Sequence, residues 1–538
     1  MLDTSVLSLL LCLSSLALLL HPSLAVGSSH DEEEVKRSQF PYGFFFGTST
    51  SSYQVEGAYL EDDKGLSNWD VFSHIPGKIK DNGTGDIADD HYHLFLEDIE
   101  LMHSLGVNAY RFSISWTRIL PKGKSGDVNP RGIMFYNKII DSLLLRGIQP
   151  FVTMFHHDIP QELEDIYGSW LSSHMQEEFA YFAVICFKSF GDRVKYWTTM
   201  NEPNLLTEMA CIRSWYPPSR CSLPFGNCSV GNSEVEPLVA LHNMILAHGK
   251  AVRVYRDNFQ ARQGGLIGIV AFTEMFEPFR DNELDRQAVN RTLAYTMGWL
   301  LDPLVYGDYP AIMRQYLGSA LPKFLPEEID YVKGSLDFIG INHYTTLYAK
   351  DCIHSPCILG ADRAIRGYAY TNGERDGVPI GERCANPRFF VVPEGLEKTV
   401  NYIKDRYQNM PMFVTENGYS PPQQNEQALL HDEKRVHFHK SYLASLSKAI
   451  RDGADVRGYF IWSLVDNFEW IDGYSMRYGI HYVDRVTLER RPKLSAIWYR
   501  NFLTNNGSRH NNEEDLASKS LENTTLITSV AGAAKYEI

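Results

Sequence analysis

Four signals are missing from this chain or scarce in it. No Gly-x-Gly-x-x-Gly follows its first strand-like segment, so a dinucleotide fold loses its main support. No His or Cys cluster has the spacing of metal ligands, and no metal site is expected. Basic residues are outnumbered, with 51 Lys and Arg against 66 Asp and Glu, and the net charge of −15 argues against nucleic acid as a partner. Long apolar runs are scarce too. Ser5–Leu20 is short for a span, nothing after it is long enough to cross a bilayer, and stable membrane insertion is not expected.

That single run has another use. It is followed by Ser23-Leu24-Ala25, a small-x-small cleavage pattern, so residues 1–25 read as a signal peptide, although Asp3 stands where a Lys or Arg is usual. A secreted protein is expected, extracellular or in the cell wall, with the vacuole as the alternative. The sequons at Asn82, Asn227, Asn290, Asn506 and Asn523 agree with export. Outside the leader, which holds Cys12, seven cysteines remain, so at least one thiol is free or pairs between molecules. Cys221 and Cys228 bracket a Pro-Gly-Asn loop and form the first candidate disulfide, with Cys352 and Cys357 as the second. Cys186 reads as a buried thiol. Residues 505–538 are polar and read as a tail without a lumenal retention signal, which leaves 26–504 for the folded domain.

Within that domain, apolar runs alternate with helical patterns. The runs are 44–55, 108–116, 149–157, 196–204, 266–274, 337–344, 412–419 and 456–466. Between them, 90–105, 174–190, 235–259, 394–408 and 433–451 repeat apolar residues every three or four positions. Strand alternating with helix predicts a parallel sheet, and this many units predict a single (β/α)₈ TIM barrel with enlarged loops at the C-terminal face of the strands. The Pro-, Cys- and Gly-rich stretch 205–232 and the stretch 350–393 are the expected walls of a pocket there.

Two glutamates end apolar runs: Glu202 in Thr-Met-Asn-Glu-Pro and Glu416 in Thr-Glu-Asn-Gly. On the fourth and seventh strands they would face each other across a barrel mouth. A pair of carboxyl groups is the minimum for breaking a glycosidic bond, one giving a proton and the other staying ionised. Aromatics make up 12% of the chain, and stacking on sugar rings is one use beside core packing. No cofactor is needed for this chemistry.

These two motifs resemble the paired signatures of glycoside hydrolase family 1, the β-glucosidases. Other segments resemble the family in order: Phe46-Gly47-Thr48-Ser49 with Ser52-Tyr53-Gln54-Val55-Glu56-Gly57, then Arg111-Phe112-Ser113-Ile114-Ser115-Trp116, then Asn342-His343-Tyr344, and last Trp462-Ser463-Leu464 with Asn467-Phe468-Glu469-Trp470. The resemblance runs from about Phe40 to Leu503. It implies Glu202 as the general acid/base and Glu416 as the nucleophile of a retaining enzyme. It implies Gln54, His156, Asn201, Trp462 and Glu469 on the sugar hydroxyls, and Trp470 offering a ring face. Tyr344 would orient the nucleophile and Arg111 would keep it ionised.

Related chemistries can be sorted. Thioglucosidases of the family typically carry Gln at the acid/base position, so Glu202 favours an oxygen leaving group, and Glu469 would repel a phosphorylated sugar. The continuation Gln161-Glu162-Leu163-Glu164-Asp165 resembles the plant branch acting on monolignol glucosides such as coniferin and syringin. His157 departs from the Trp found there in many plant relatives and is the candidate aglycone residue. The expected partner is a small β-glucoside. Transglucosylation, other aglycones or oligosaccharides, and a non-catalytic sugar-binding barrel are the alternatives; oligomeric state stays open.

Overall fold

The computed structural model describes residues 34–124, 126–422 and 425–504. The expected signal peptide 1–25, the tail 505–538, Cys12 and the sequons Asn506 and Asn523 lie outside the described residues. The apolar runs form β1 (Phe45–Ser49), β2 (Ala109–Ser113), β3 (Gln149–Phe155), β4 (Tyr196–Asn201), β5 (Leu266–Pro278), β6 (Phe338–Asp351), β7 (Met412–Asn417) and β8 (Val456–Trp462). Each pairs in parallel with the next, and β8 returns to β1 through Phe45↔Gly458, so the sheet closes. Nearly every strand residue is buried, as expected of parallel strands covered by helices.

The crossover helices include His91–Leu105, Pro130–Leu145, His174–Phe190, Glu236–Tyr255, Pro393–Arg406 and Glu433–Arg451. Their starts follow local chemistry. Pro130 opens its helix where the missing N–H costs nothing, and the Asn129 side chain accepts from the Arg131 N–H at 3.0 Å. The expected 235–259 helix becomes π-helical over Arg256–Gln260.

One side chain from every strand meets on the barrel floor. Ala109, Phe151, Phe338, Phe413 and Phe460 are fully buried there, with Phe45, Tyr196 and Leu266 packed against them. Phe151 is central: its ring lies 5.2–5.4 Å from those of Phe338, Phe413 and Phe460, all edge-on.

At the opposite end several strands differ from the expected runs. β1 stops at Ser49 and the chain turns into a short helix, Ser52–Val55, so Gln54 is helical instead of a strand end. β2 gives way to the helix Trp116–Ile119, and β4 ends at Asn201 before Pro203 opens the helix Pro203–Cys211. β5 and β6 do the reverse and stay paired from Gly268↔Phe338 to Pro278↔Ala349, with β6 adding Ala369–Asn372 as an antiparallel partner. Strands last only while a neighbour supplies hydrogen bonds, and past the rim only this pair keeps one.

Both candidate disulfides form, Cys221–Cys228 and Cys352–Cys357. Cys186, Cys211 and Cys384 are free and buried. No helix among the described residues is long and apolar enough to cross a membrane.

Truncating the floor's central ring removes contacts to four strands at once, since Phe151 also stacks on Tyr196 at 5.4 Å. Phe151→Ala is expected to destabilise the fold by about 3–5 kcal/mol, read as a lowered midpoint of denaturant unfolding.

Candidate active site

The strand ends converge on a cavity of about 290 Å³ at the C-terminal face of the barrel. Glu202 and Glu416 both line it and both are buried. Glu416 lies within β7, and its carboxylate is held from two sides. Arg111 Nη1 on β2 donates to Oε1 at 2.6 Å, and the Tyr344 hydroxyl on β6 donates to Oε2 at 2.8 Å. The arginine is fully buried and its other nitrogens are occupied, Nη2 by Asn201 Oδ1 at 2.6 Å and Nε by Thr153 Oγ1 at 3.1 Å.

Glu202 stands just past β4 in a left-handed conformation, φ 45°, with its N–H on the Val270 carbonyl at 2.9 Å. This turn caps the helix that follows and leaves the side chain facing the cavity. Asn342 Nδ2 on β6 donates to Glu202 Oε1 at 2.9 Å and to Asn201 Oδ1 at 3.0 Å, while its own oxygen accepts from Thr415 at 2.7 Å. One polar chain therefore runs Glu416–Arg111–Asn201–Asn342–Glu202. Burial, with the Glu416 charge second, pushes the Glu202 pKa well above the ordinary carboxylate range, against the Asn342 hydrogen bond and the Arg111 charge.

A third carboxylate completes the floor of the cavity. Gln54 Nε2 lies 3.3 Å from Glu469 Oε2 and donates to the Phe468 carbonyl at 2.9 Å. Burial, then the charges of Asp472 and Glu416, push the Glu469 pKa up to about 8, opposed by hydrogen bonds from Trp462 and Gln54. His156 Nε2 meets Asn201 Nδ2 at 3.0 Å and its ring lies 5.9 Å from those of both Trp462 and Trp470. Burial, with His157 and Arg111, drives the His156 pKa well down, so the ring is neutral. Gly418 follows Glu416-Asn417 because a Cβ there would lie 2.1 Å from the Trp462 carbonyl oxygen; the glycine lets β7 and β8 approach.

Of the residues that the motifs nominated, His156, Glu202, Tyr344, Glu416, Trp462, Glu469 and Trp470 line the cavity, while Gln54, Asn201 and Arg111 stand behind it, hydrogen-bonded to Glu469, His156 and Glu416. His157 also lines it, at φ 73°, packed 5.2 Å from Trp470 and 5.7 Å from Tyr216, with a pKa lowered to about 3 by burial. Both long loops form walls as expected. Trp215 and Tyr216 come from the first, and Phe389, stacked on Tyr344 at 5.2 Å, from the second. The motifs did not assign two residues that matter. Asn342 sat inside a quoted motif without a role, and Tyr216 sat in a loop whose contacts sequence could not supply. The described sequons Asn82, Asn227 and Asn290 are exposed. Among the described residues no group of three or more His, Cys, Asp or Glu is placed to hold a metal ion.

A closed parallel barrel whose rim holds paired buried carboxylates, with polar groups and indoles around them, is the architecture of a sugar-cleaving barrel enzyme. The chain belongs to glycosyl hydrolase family 1, whose model matches residues 36–508. It is 55% identical over 474 residues to probable inactive beta-glucosidase 14 of Oryza sativa subsp. japonica, covering 87% of this chain and 92% of that one. It is 50% identical over 478 residues to coniferin beta-glucosidase of Pinus contorta, again 87% and 92%. The crystal structure of the rice Os3BGlu6 beta-glucosidase superposes with a TM-score of 0.84 at 44% identity, over 88% of this chain and 100% of the other. The chain is a β-glucosidase-type glycosyl hydrolase acting on small glycosides.

Raised carboxylate pKa values cost stability at neutral pH. A carboxyl whose folded pKa exceeds its unfolded one binds more protons when folded, so stability falls as pH rises from about 4.5 through the folded pKa. For Glu469 that window ends near its pKa of about 8. Glu469→Gln is expected to match the parent chain near pH 4 and to exceed it by about 4 kcal/mol at about pH 8. Thermal melts at the two pH values check this.

Proposed function

We propose that this glycosyl hydrolase is a retaining β-glucosidase that cleaves the O-β-glucosidic bond of a phenolic glucoside by double displacement. The observation that carries the reading is the unequal setting of the two carboxylates. Glu416 has an arginine and a phenol hydroxyl on its two oxygens, which suits an anion aimed at carbon. Glu202 has a single amide donor and a pKa pushed up by burial, which suits a group that holds a proton.

In the first step Glu416 attacks the anomeric carbon, the bond to the aglycone oxygen breaks, and Glu202 gives that oxygen its proton. In the second, Glu202 takes a proton from water, the water oxygen attacks the same carbon, and glucose and free Glu416 result. Gln54, His156, Asn201, Trp462 and Glu469 hold the sugar hydroxyls, and Trp470 faces the ring. Asn342 positions Glu202.

The aglycone is a monolignol-type phenol in this proposal. Its support is the aromatic wall of Tyr216, Phe272 and Phe389, together with the 50% identity to a coniferin beta-glucosidase. His157 shapes that wall, since an imidazole is smaller and more polar than an indole. Export to the cell wall is supported by residues 1–25, by exposed Asn82, Asn227 and Asn290, and by two disulfides. The name of the 55% identical rice relative raises a non-catalytic alternative. Both carboxylates are present here and both are engaged, which favours activity.

Glu416→Gly is expected to lower kcat/KM on nitrophenyl β-glucoside by on the order of 10⁴-fold or more. A 2-fluoro-glucoside inactivator should label Glu416, read by peptide mass spectrometry. Glu202→Gln should lose far more on coniferin than on a dinitrophenyl glucoside, whose leaving group needs no proton. Wild-type turnover by Glu416→Gly would overturn the reading. A panel of coniferin, syringin, cellobiose and nitrophenyl glucoside tests the aglycone, with coniferin or syringin expected first.

A further inference from the structure

A second cavity of about 300 Å³ lies beside the catalytic one, and Leu205, Glu208, Phe272, Glu274 and Arg388 line both. Its parts are remote in sequence. They come from the helix Pro203–Cys211, the Cys221–Cys228 loop, the extended end of β5, the helical segment after it, and the chain beyond Cys357. The two disulfide-tied loops meet at this cavity. Gly360, at φ +97°, is where a Cβ would lie 3.2 Å from the Phe225 ring, and the Arg366 guanidinium covers that ring at 5.5 Å.

Donors outnumber acceptors among the groups that line it. Arg213 and Arg366 share the Glu208 carboxylate at 2.6 and 3.2 Å, and Arg388 has Glu274 at 3.4 Å. Three guanidinium groups thus face two carboxylates. The Tyr295 hydroxyl and the Trp299 indole N–H are buried and have no hydrogen-bond partner, on residues only 9% and 6% exposed. Both atoms are closed to solvent, so the arginines are the donors that face the cavity. The catalytic cavity has the opposite character, with Glu202, Glu416 and Glu469 on its walls. An anionic group is matched instead by the arginines, whose planar forks fit a carboxylate.

We propose that the second cavity binds a carboxylate at the far end of the aglycone, so that β-glucosides of phenolic acids are substrates of the same site. This rests on the glucosidase reading above. Glucose occupies the first cavity, the phenolic ring lies against Leu205 and Phe272, and the acid group reaches Arg366.

The test compares kcat/KM of the full chain on three glucosides: nitrophenyl β-glucoside, a hydroxycinnamyl alcohol glucosylated on its phenol oxygen, and the matching hydroxycinnamic acid. The acid is expected to exceed the alcohol by about tenfold, or about 1.4 kcal/mol. Arg366→Met should bring that ratio towards one, with nitrophenyl glucoside turnover unchanged. Arg366→Lys keeps the charge and should retain an acid-to-alcohol ratio above one. Equal kcat/KM for acid and alcohol in the parent chain would overturn the proposal, as would Arg366→Met lowering all three substrates alike. No turnover of nitrophenyl glucoside by the parent chain is a distinct result, which would sink the glucosidase reading and this one with it.

Discussion

The site depends on one buried ion pair. Arg111 and Glu416 meet at 2.6 Å with the arginine fully out of water. Burying two charges is favourable only if each finds further partners. Here Thr153 and Asn201 take the remaining guanidinium groups and Tyr344 takes the second carboxylate oxygen, so neither charge is stranded. These partners come from β2, β3, β4, β6 and β7. The ion pair therefore fixes the relative positions of five strand ends, and the strands fix its geometry in return.

Asn201 and Asn342 extend this constraint to Glu202. An amide can donate and accept at once, which lets the network pass from a cation to a carboxyl without adding charge. The result is a cavity where carboxylates close to one another have different environments. That arrangement costs stability at neutral pH, and the aromatic floor below it supplies the rigid base on which it stands.

Much of this was legible in the residues. The alternation of apolar runs with helical spacing led to the barrel, and the motifs placed Glu202, Glu416, Arg111, Tyr344 and Glu469 at its rim. Gln54 was harder, because the turn from Ser49 into Ser52–Val55 depends on where β1 loses its neighbours. Asn342 was invisible as a partner of Glu202, since the registers of β4 against β5 and of β5 against β6 set it and composition does not. Tyr216 and the second cavity were out of reach for a related reason. Their contacts join segments more than a hundred residues apart, held by two short disulfide loops whose packing no local pattern encodes.

The phenylalanine floor also sets the traffic of the reaction. Because every strand contributes to a plug of packed side chains, the barrel is a well with its mouth at one end. Whatever enters last must leave first. On the proposed double displacement the aglycone, lying outermost, departs while the glucosyl group is still bound, and the water that follows arrives through the space just vacated. On that reading a closed floor matches the chemical sequence to an order of release, with glucose as the second product.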